Sequence, residues 1–133
     1  MTKLRQRLSH QEGFTLIELL IVIVIIGILL AIAVPSYLGF KTRANNRAAQ
    51  SDVREALPVA EAYYGDNGTY SSMTPALLLS IDTGLSDKVT VAGASLGAYC
   101  IAATVGGQKW SAHGPGAVWF NSDDCSGVTA NVG

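Results

Sequence analysis

Residues 13–37 read GFTLIELLIVIVIIGILLAIAVPSY, and how this stretch is read decides the fold. From Phe14 to Val34 a single residue is charged, Glu18, and from Leu19 to Val34 every residue is apolar or glycine. At about 1.5 Å per residue this run predicts a helix of about 32 Å, long enough to cross the hydrocarbon core of a bilayer. A carboxylate inside such a run is expensive, so the sequence predicts a partner for Glu18.

Outward from the helix, composition sets bounds. A chain of 133 residues allows one small domain besides the apolar segment. Net charge is −1, and residues 1–13 carry Lys3, Arg5 and Arg7 against Glu12, which leaves the remainder at −3. No basic patch offers itself to nucleic acid. Only 14% of residues are charged, which suits a tightly packed extracellular protein better than a cytosolic enzyme. The two cysteines, Cys100 and Cys125, lie on the far side of the apolar run, and an exported location favours a disulfide between them.

Two ordinary readings of the N-terminus are weaker. A secretory signal peptide has a basic start, and Ala31-Ile32-Ala33 mimics its cleavage site. The apolar run nevertheless exceeds the usual h-region of about 7–15 residues, and a carboxylate serves no purpose in a discarded segment. A plain single-pass anchor also fits, but charge does not orient it, because Lys41, Arg43 and Arg47 follow the helix as Lys3, Arg5 and Arg7 precede it.

A short basic leader ending in Gly13, followed by FTLIELLIVIVIIGILLAIAVPSY, resembles the class III signal of type IV pilins and related pseudopilins. The likeness is dense from Glu12 to about Arg47. It implies that a prepilin peptidase cuts between Gly13 and Phe14 and that the new amino group of Phe14 is N-methylated. By the same resemblance Glu18 is the acidic position five residues into the mature chain, and Pro35 is the helix-interior proline. AYYGDNGTYSS, residues 62–72, resembles the helix exit of many major pilins, and a disulfide-closed C-terminal region is common among them. Pro58 has no counterpart in that pattern.

The residues support this independently. Gly13 offers a protease an unobstructed backbone, and the leader's charges hold the junction at the cytoplasmic face. After cleavage the Phe14 ammonium and the Glu18 carboxylate lie about one turn apart, within one subunit or between neighbours. At 4 Å and an effective dielectric near 20 such a pair gains about 4 kcal/mol. Moving from lipid into a helix bundle gains little hydrophobic energy, so the charge pair is what fixes register. A Glu18 partly solvated at the headgroups is the plainer alternative.

Further along, Gly27 and Pro35 are expected to interrupt the helix, with Gly27 to Pro35 the segment that bends or melts in a filament; proline costs roughly 3 kcal/mol in a helix interior. Pro58 is expected to bend or break the second half. From Ser36 to Tyr64 the pattern turns amphipathic, with Phe40, Ala44, Ala48, Val53, Leu57, Ala60 and Tyr64 as the apolar face. Lys41, Arg43, Arg47, Asp52, Arg54, Glu55 and Glu61 form a mostly solvated face, basic first and acidic later, with charges that staggered copies can cross-pair. YGDNG ends the helix at Tyr64. Asn67-Gly68-Thr69 fits a glycosylation sequon, though an ordinary turn explains it as well.

The remainder predicts a loop over 69–88 with a helical turn near Pro75 to Leu79, then a small antiparallel sheet. Its strands are Lys88 to Ala92, Ala98 to Val105, Gln108 to His113 and Ala117 to Asn121, with Gly106-Gly107 and Gly114-Pro115-Gly116 as turns. Tyr99, Ile101, Ala103 and Val105 share one face, and one face packs on the amphipathic helix, since so small a sheet cannot stand alone. The loop closed by Cys100 and Cys125 is worth roughly 3–4 kcal/mol.

No nucleotide-binding loop is present. His10 and His113 are isolated, so neither a histidine metal cluster nor a Ser/His/Asp set is formed. Asn121, Asp123 and Asp124 offer oxygens to Ca²⁺, but a turn is the simpler reading. Trp110, Trp119 and Tyr99 read as sheet core rather than a ligand platform.

The fold class is α+β: a leader over 1–13, a long helix over 14–64 whose membrane and filament half is 14–35 and whose amphipathic half is 36–64, and a disulfide-bonded β head over 65–133. The expected function is a structural pilin, not an enzyme and without a cofactor. It is held in the cytoplasmic membrane, processed, and polymerised into an extracellular helical filament of identical subunits by an assembly platform and ATPase. A type II secretion pseudopilin, a monomeric membrane-anchored binding protein, and a DNA-uptake pilin (for which no basic head surface is visible) are the alternatives.

Overall fold

The computed structural model describes residues 13–122 and Cys125. The leader to Glu12, with His10, and the pair Asp123 and Asp124 lie outside them. The described elements are α1 (Leu16–Asn67), α2 (Pro75–Ile81), β1 (Val89–Ala92), β2 (Tyr99–Val105), β3 (Gln108–Gly114) and β4 (Val118–Phe120). This is the α+β arrangement read from the sequence. Contacts divide the chain after Phe40.

Up to Phe40, α1 is apolar and solvent-exposed on every side. The helix is unbroken through Gly27, Pro35 and Pro58, so the interruption expected at Gly27 and Pro35, and the break at Pro58, are absent from the secondary structure of the single chain. Proline's fixed φ is close to the helical value, so each ring removes one hydrogen bond without forcing a non-helical residue.

From Lys41 onward the chain has its own core. Ala49, Val53, Ala56, Ala60 and Tyr63 are buried at spacings of four and three, joined by Val59. This corrects the face expected from sequence: Val53 and Ala60 belong to it, Leu57 packs at its border, and Phe40 and Tyr64 are 73% and 41% exposed. The 4-3 alternation keeps one stripe on the sheet, whereas the expected series, with steps of three to five and a run of four, four and five from Phe40 to Val53, drifts around the helix. The stripe's residues are mostly small. Against them pack Val89, Tyr99, Ile101, Ala103 and Ala112, with Trp110 and Trp119 partly buried at the border.

α1 ends three residues later than expected. Gly65 stays helical, and the stop is Gly68, whose φ of 69° places its N–H 2.7 Å from the Tyr64 carbonyl. α2 starts at an N-cap, with Thr74 Oγ1 accepting from Leu77 N–H at 3.3 Å and Pro75 in the first turn. It buries Leu78.

The sheet is antiparallel, in the order β1-β2-β3-β4. Gly106 and Gly107 both have positive φ, 55° and 81°, which supplies the two-residue turn joining Val105 to its partner Gln108. The Gly114–Pro115 peptide is cis. Tyr99 lies opposite Gly114, where any Cβ would collide with the Tyr99 ring. β2 is buried on both faces from Tyr99 to Ala103, so the simple alternation read from sequence does not extend to its burial. On the face turned from the helix, Cys100 and Ala102 are covered as well, next to the Cys100–Cys125 disulfide.

Candidate functional site

The N-terminal motif sits where α1 begins. Gly13, Phe14 and Thr15 precede the helix and are exposed. Thr15 is its N-cap: Glu18 N–H donates to Thr15 Oγ1 at 3.2 Å, and Thr15 N–H donates to Glu18 Oε2 at 3.1 Å. This reciprocal pair is a capping box, which satisfies two of the donors every helix start leaves open. The positive end of the helix dipole favours a carboxylate there as well. In this chain, then, the partner of Glu18 is local. In this form Phe14 contributes a peptide nitrogen rather than an ammonium, so the Phe14–Glu18 charge pair is not formed. Thr15 is not among the residues expected from sequence to matter, although T-x-x-E before an apolar run is the signature of such a box.

Beyond the cap, Leu16, Ile17, Leu19 and the following residues to Val34 expose side chains on every side of α1. Among the described residues α1 is the one helix long and apolar enough to cross a membrane. A helix apolar all round has a surface that needs lipid or protein against it. A Cβ added at Gly27 would point into open space.

In the head, charges read as solvated turn out to anchor the fold. Glu61 accepts from the hydroxyls of both Tyr70 and Tyr99, each at 2.9 Å, one on each carboxylate oxygen. It thereby ties α1 to the connecting loop and to β2. Burial, and then the adjacent Glu61 carboxylate, push the Tyr70 hydroxyl up to about 12 and raise Tyr99 further. Asp52 accepts from Ser86 Oγ at 2.9 Å, Asn46 accepts from Trp110 Nε1 at 3.1 Å, and the Arg54 guanidinium lies 5.7 Å from the Trp119 ring centre. Only the burial of the tyrosines, invisible in sequence, marks Glu61 out from its neighbours on the helix.

Cys100 and Cys125 form the expected disulfide, with Cα atoms 5.7 Å apart. With His113 they are a trio whose potential donor atoms lie within 4.8 Å of one another. The sulfurs are bonded to each other and carry no thiolate charge, so in this form the trio is not a metal centre.

The sequence family described as "Prokaryotic N-terminal methylation motif" matches residues 8–34. The chain is 36% identical to the "Type IV wide pilus major component PilA4" of Thermus thermophilus, over 91% of this chain and 88% of that protein. It is 39% identical to the "Type II secretion system core protein G" of Pectobacterium carotovorum over 51% of this chain and 44% of that one. It is also 39% identical to the "Type IV major pilin protein PilA" of Myxococcus xanthus, over 47% of this chain and 28% of that protein. No solved structure matches the chain.

Proposed function

This chain belongs to the type IV pilin and pseudopilin family, and on that premise we propose that it is a structural subunit of a type IV pilus. It is held in the cytoplasmic membrane as a prepilin, cut between Gly13 and Phe14, N-methylated on Phe14 and polymerised by a membrane platform and its ATPase. The observation that carries this reading is α1 up to Val34: an apolar surface on all sides with one carboxylate, capped at its N-terminal end. Lipid covers that surface before assembly, and copies of the same helix cover it afterwards.

Cleavage changes what surrounds Glu18. The peptide nitrogen of Phe14, one residue before the cap, becomes an ammonium. Because the capping box already holds Glu18 at the helix start, the carboxylate is oriented before the ammonium exists. The pair then sets register, whether it closes within a subunit or between neighbours. In the filament the segment from Gly27 to Pro35, where proline has removed one hydrogen bond, is where α1 yields to close packing.

The similarity to the Thermus protein spans helix and head, whereas the type II secretion relatives match over about half of this chain. This favours a pilus subunit over a pseudopilin. A membrane-anchored receptor of the same architecture uses Glu18 only as a helix cap and needs no charge pair with a neighbour. The test is Glu18→Ala in the native host: membrane levels unchanged and filaments lost supports the proposal, while normal filament yield contradicts it.

A further inference from the structure

One reactive group in the head is left without an evident task. His113 lies directly opposite Cys100 in the β2–β3 register, on the sheet face turned from the helix, and its ring packs on Phe120 with centroids 4.6 Å apart. Its Nε2 is buried with no hydrogen-bond partner among the described residues, a condition folded proteins ordinarily avoid. A ring nitrogen and the sulfurs of Cys100 and Cys125 all lie within 4.8 Å of one another. We propose that His113 is the base that activates these two thiols when the head forms its disulfide.

The chemistry needs an oxidant of the disulfide class, either a thiol–disulfide exchange protein or a small disulfide. A proton passes from one cysteine Sγ to the imidazole, giving a thiolate beside an imidazolium. The thiolate attacks one sulfur of the oxidant, whose S–S bond breaks as the mixed disulfide forms. The expelled thiolate takes the proton from the imidazolium and leaves as a thiol. His113 then deprotonates the second cysteine, whose thiolate attacks the protein sulfur of the mixed disulfide. The Cys100–Cys125 bond forms, and the second thiol departs. Two electrons and two protons have moved from the head to the oxidant. Once the disulfide is closed no thiol proton is left for the imidazole to accept, and the two sulfurs are poor hydrogen-bond partners.

The expected size of the effect follows from two opposing terms. An ordinary thiol is about 3% thiolate near neutral pH, and an adjacent imidazolium that brings it to about half raises the rate roughly 16-fold. The less basic thiolate is also less nucleophilic, which takes back about fivefold and leaves about threefold.

The test compares the full chain in detergent with its His113→Gln variant. Both are reduced by a phosphine, desalted without oxygen, and reoxidised by oxidised glutathione near neutral pH, with products counted by mass spectrometry after acid quench. The native chain is expected to close its disulfide about three times faster, and the two are expected to react alike in concentrated guanidinium. Equal rates in the folded state, or a difference that survives denaturation, overturn the proposal. Should the variant lose its near-ultraviolet signal, the Cys100→Ser chain decides. There Cys125 beside native His113 is expected to react with iodoacetamide faster folded than denatured, and the reverse order contradicts the assignment.

Discussion

Thr15 and Glu18 exchange two hydrogen bonds across the first turn of α1, so their side chains have separable roles. Thr15→Ala removes a cap worth about 1 kcal/mol but keeps the carboxylate. It is expected to lower filament yield, as counted by electron microscopy, without abolishing it, in contrast to Glu18→Ala. Glu61 is the corresponding residue of the head. Glu61→Ala leaves the buried hydroxyls of Tyr70 and Tyr99 without their acceptor, a loss of about 1–3 kcal/mol. A domain of this size shifts its melting temperature by about 4–8 °C for each kcal/mol, so calorimetry should record a fall of at least several degrees. The same cluster predicts an alkaline limit. The Tyr70 hydroxyl is raised from 10.0 to about 12 in the folded head, so the folded state holds its proton more tightly than the unfolded chain. Its contribution is fully present below pH 10 and is lost as pH rises through about 12. Melting temperature should decline across that window, and less steeply in Glu61→Gln, where the carboxylate charge is gone.

At the scale of elements, what was legible in the sequence depended on how local the governing physics is. The apolar run, the Gly106-Gly107 turn and the four strands rest on composition and neighbouring residues, and they stand within one or two positions of where they were read. The buried face of α1 does not. It is chosen by the sheet that packs on it, and Ala49, Ala56 and Tyr63 are no more apolar than Ala44, Ala48 and Tyr64 beside them. The end of α1 slipped for a related reason: Gly65 is a poor helix residue by about 1 kcal/mol, a cost that burial of Tyr63 and the bond from Asn67 Nδ2 to its carbonyl offset. The capping box is legible in the T-x-x-E spacing of Thr15 and Glu18, whereas the task of Glu61 depends on two tyrosines, Tyr70 and Tyr99, that only the fold brings together. The stripe yields a direct check. Ala56→Leu, at a fully buried position, should destabilise the head by about 1–3 kcal/mol through overpacking. Ala44→Leu, exposed on the single chain, should leave its denaturant midpoint unchanged.

For the whole molecule the contrast is between a head with a core of its own and a helix without any cover. The head is closed by Cys100–Cys125, whose 25-residue separation is worth about 3.5 kcal/mol in the chain-entropy account. Every residue from Phe14 to Phe40 is exposed in the single chain, and in the proposed function lipid, and then other copies, cover that apolar surface. Passage from one to the other is the central claim, and it requires that Phe14 become a free amino terminus within reach of Glu18. Mass spectrometry of the N-terminal peptide from purified filaments tests this most directly. The account predicts chains that begin at N-methylated Phe14; filaments built from chains that still carry residues 1–13 would contradict it.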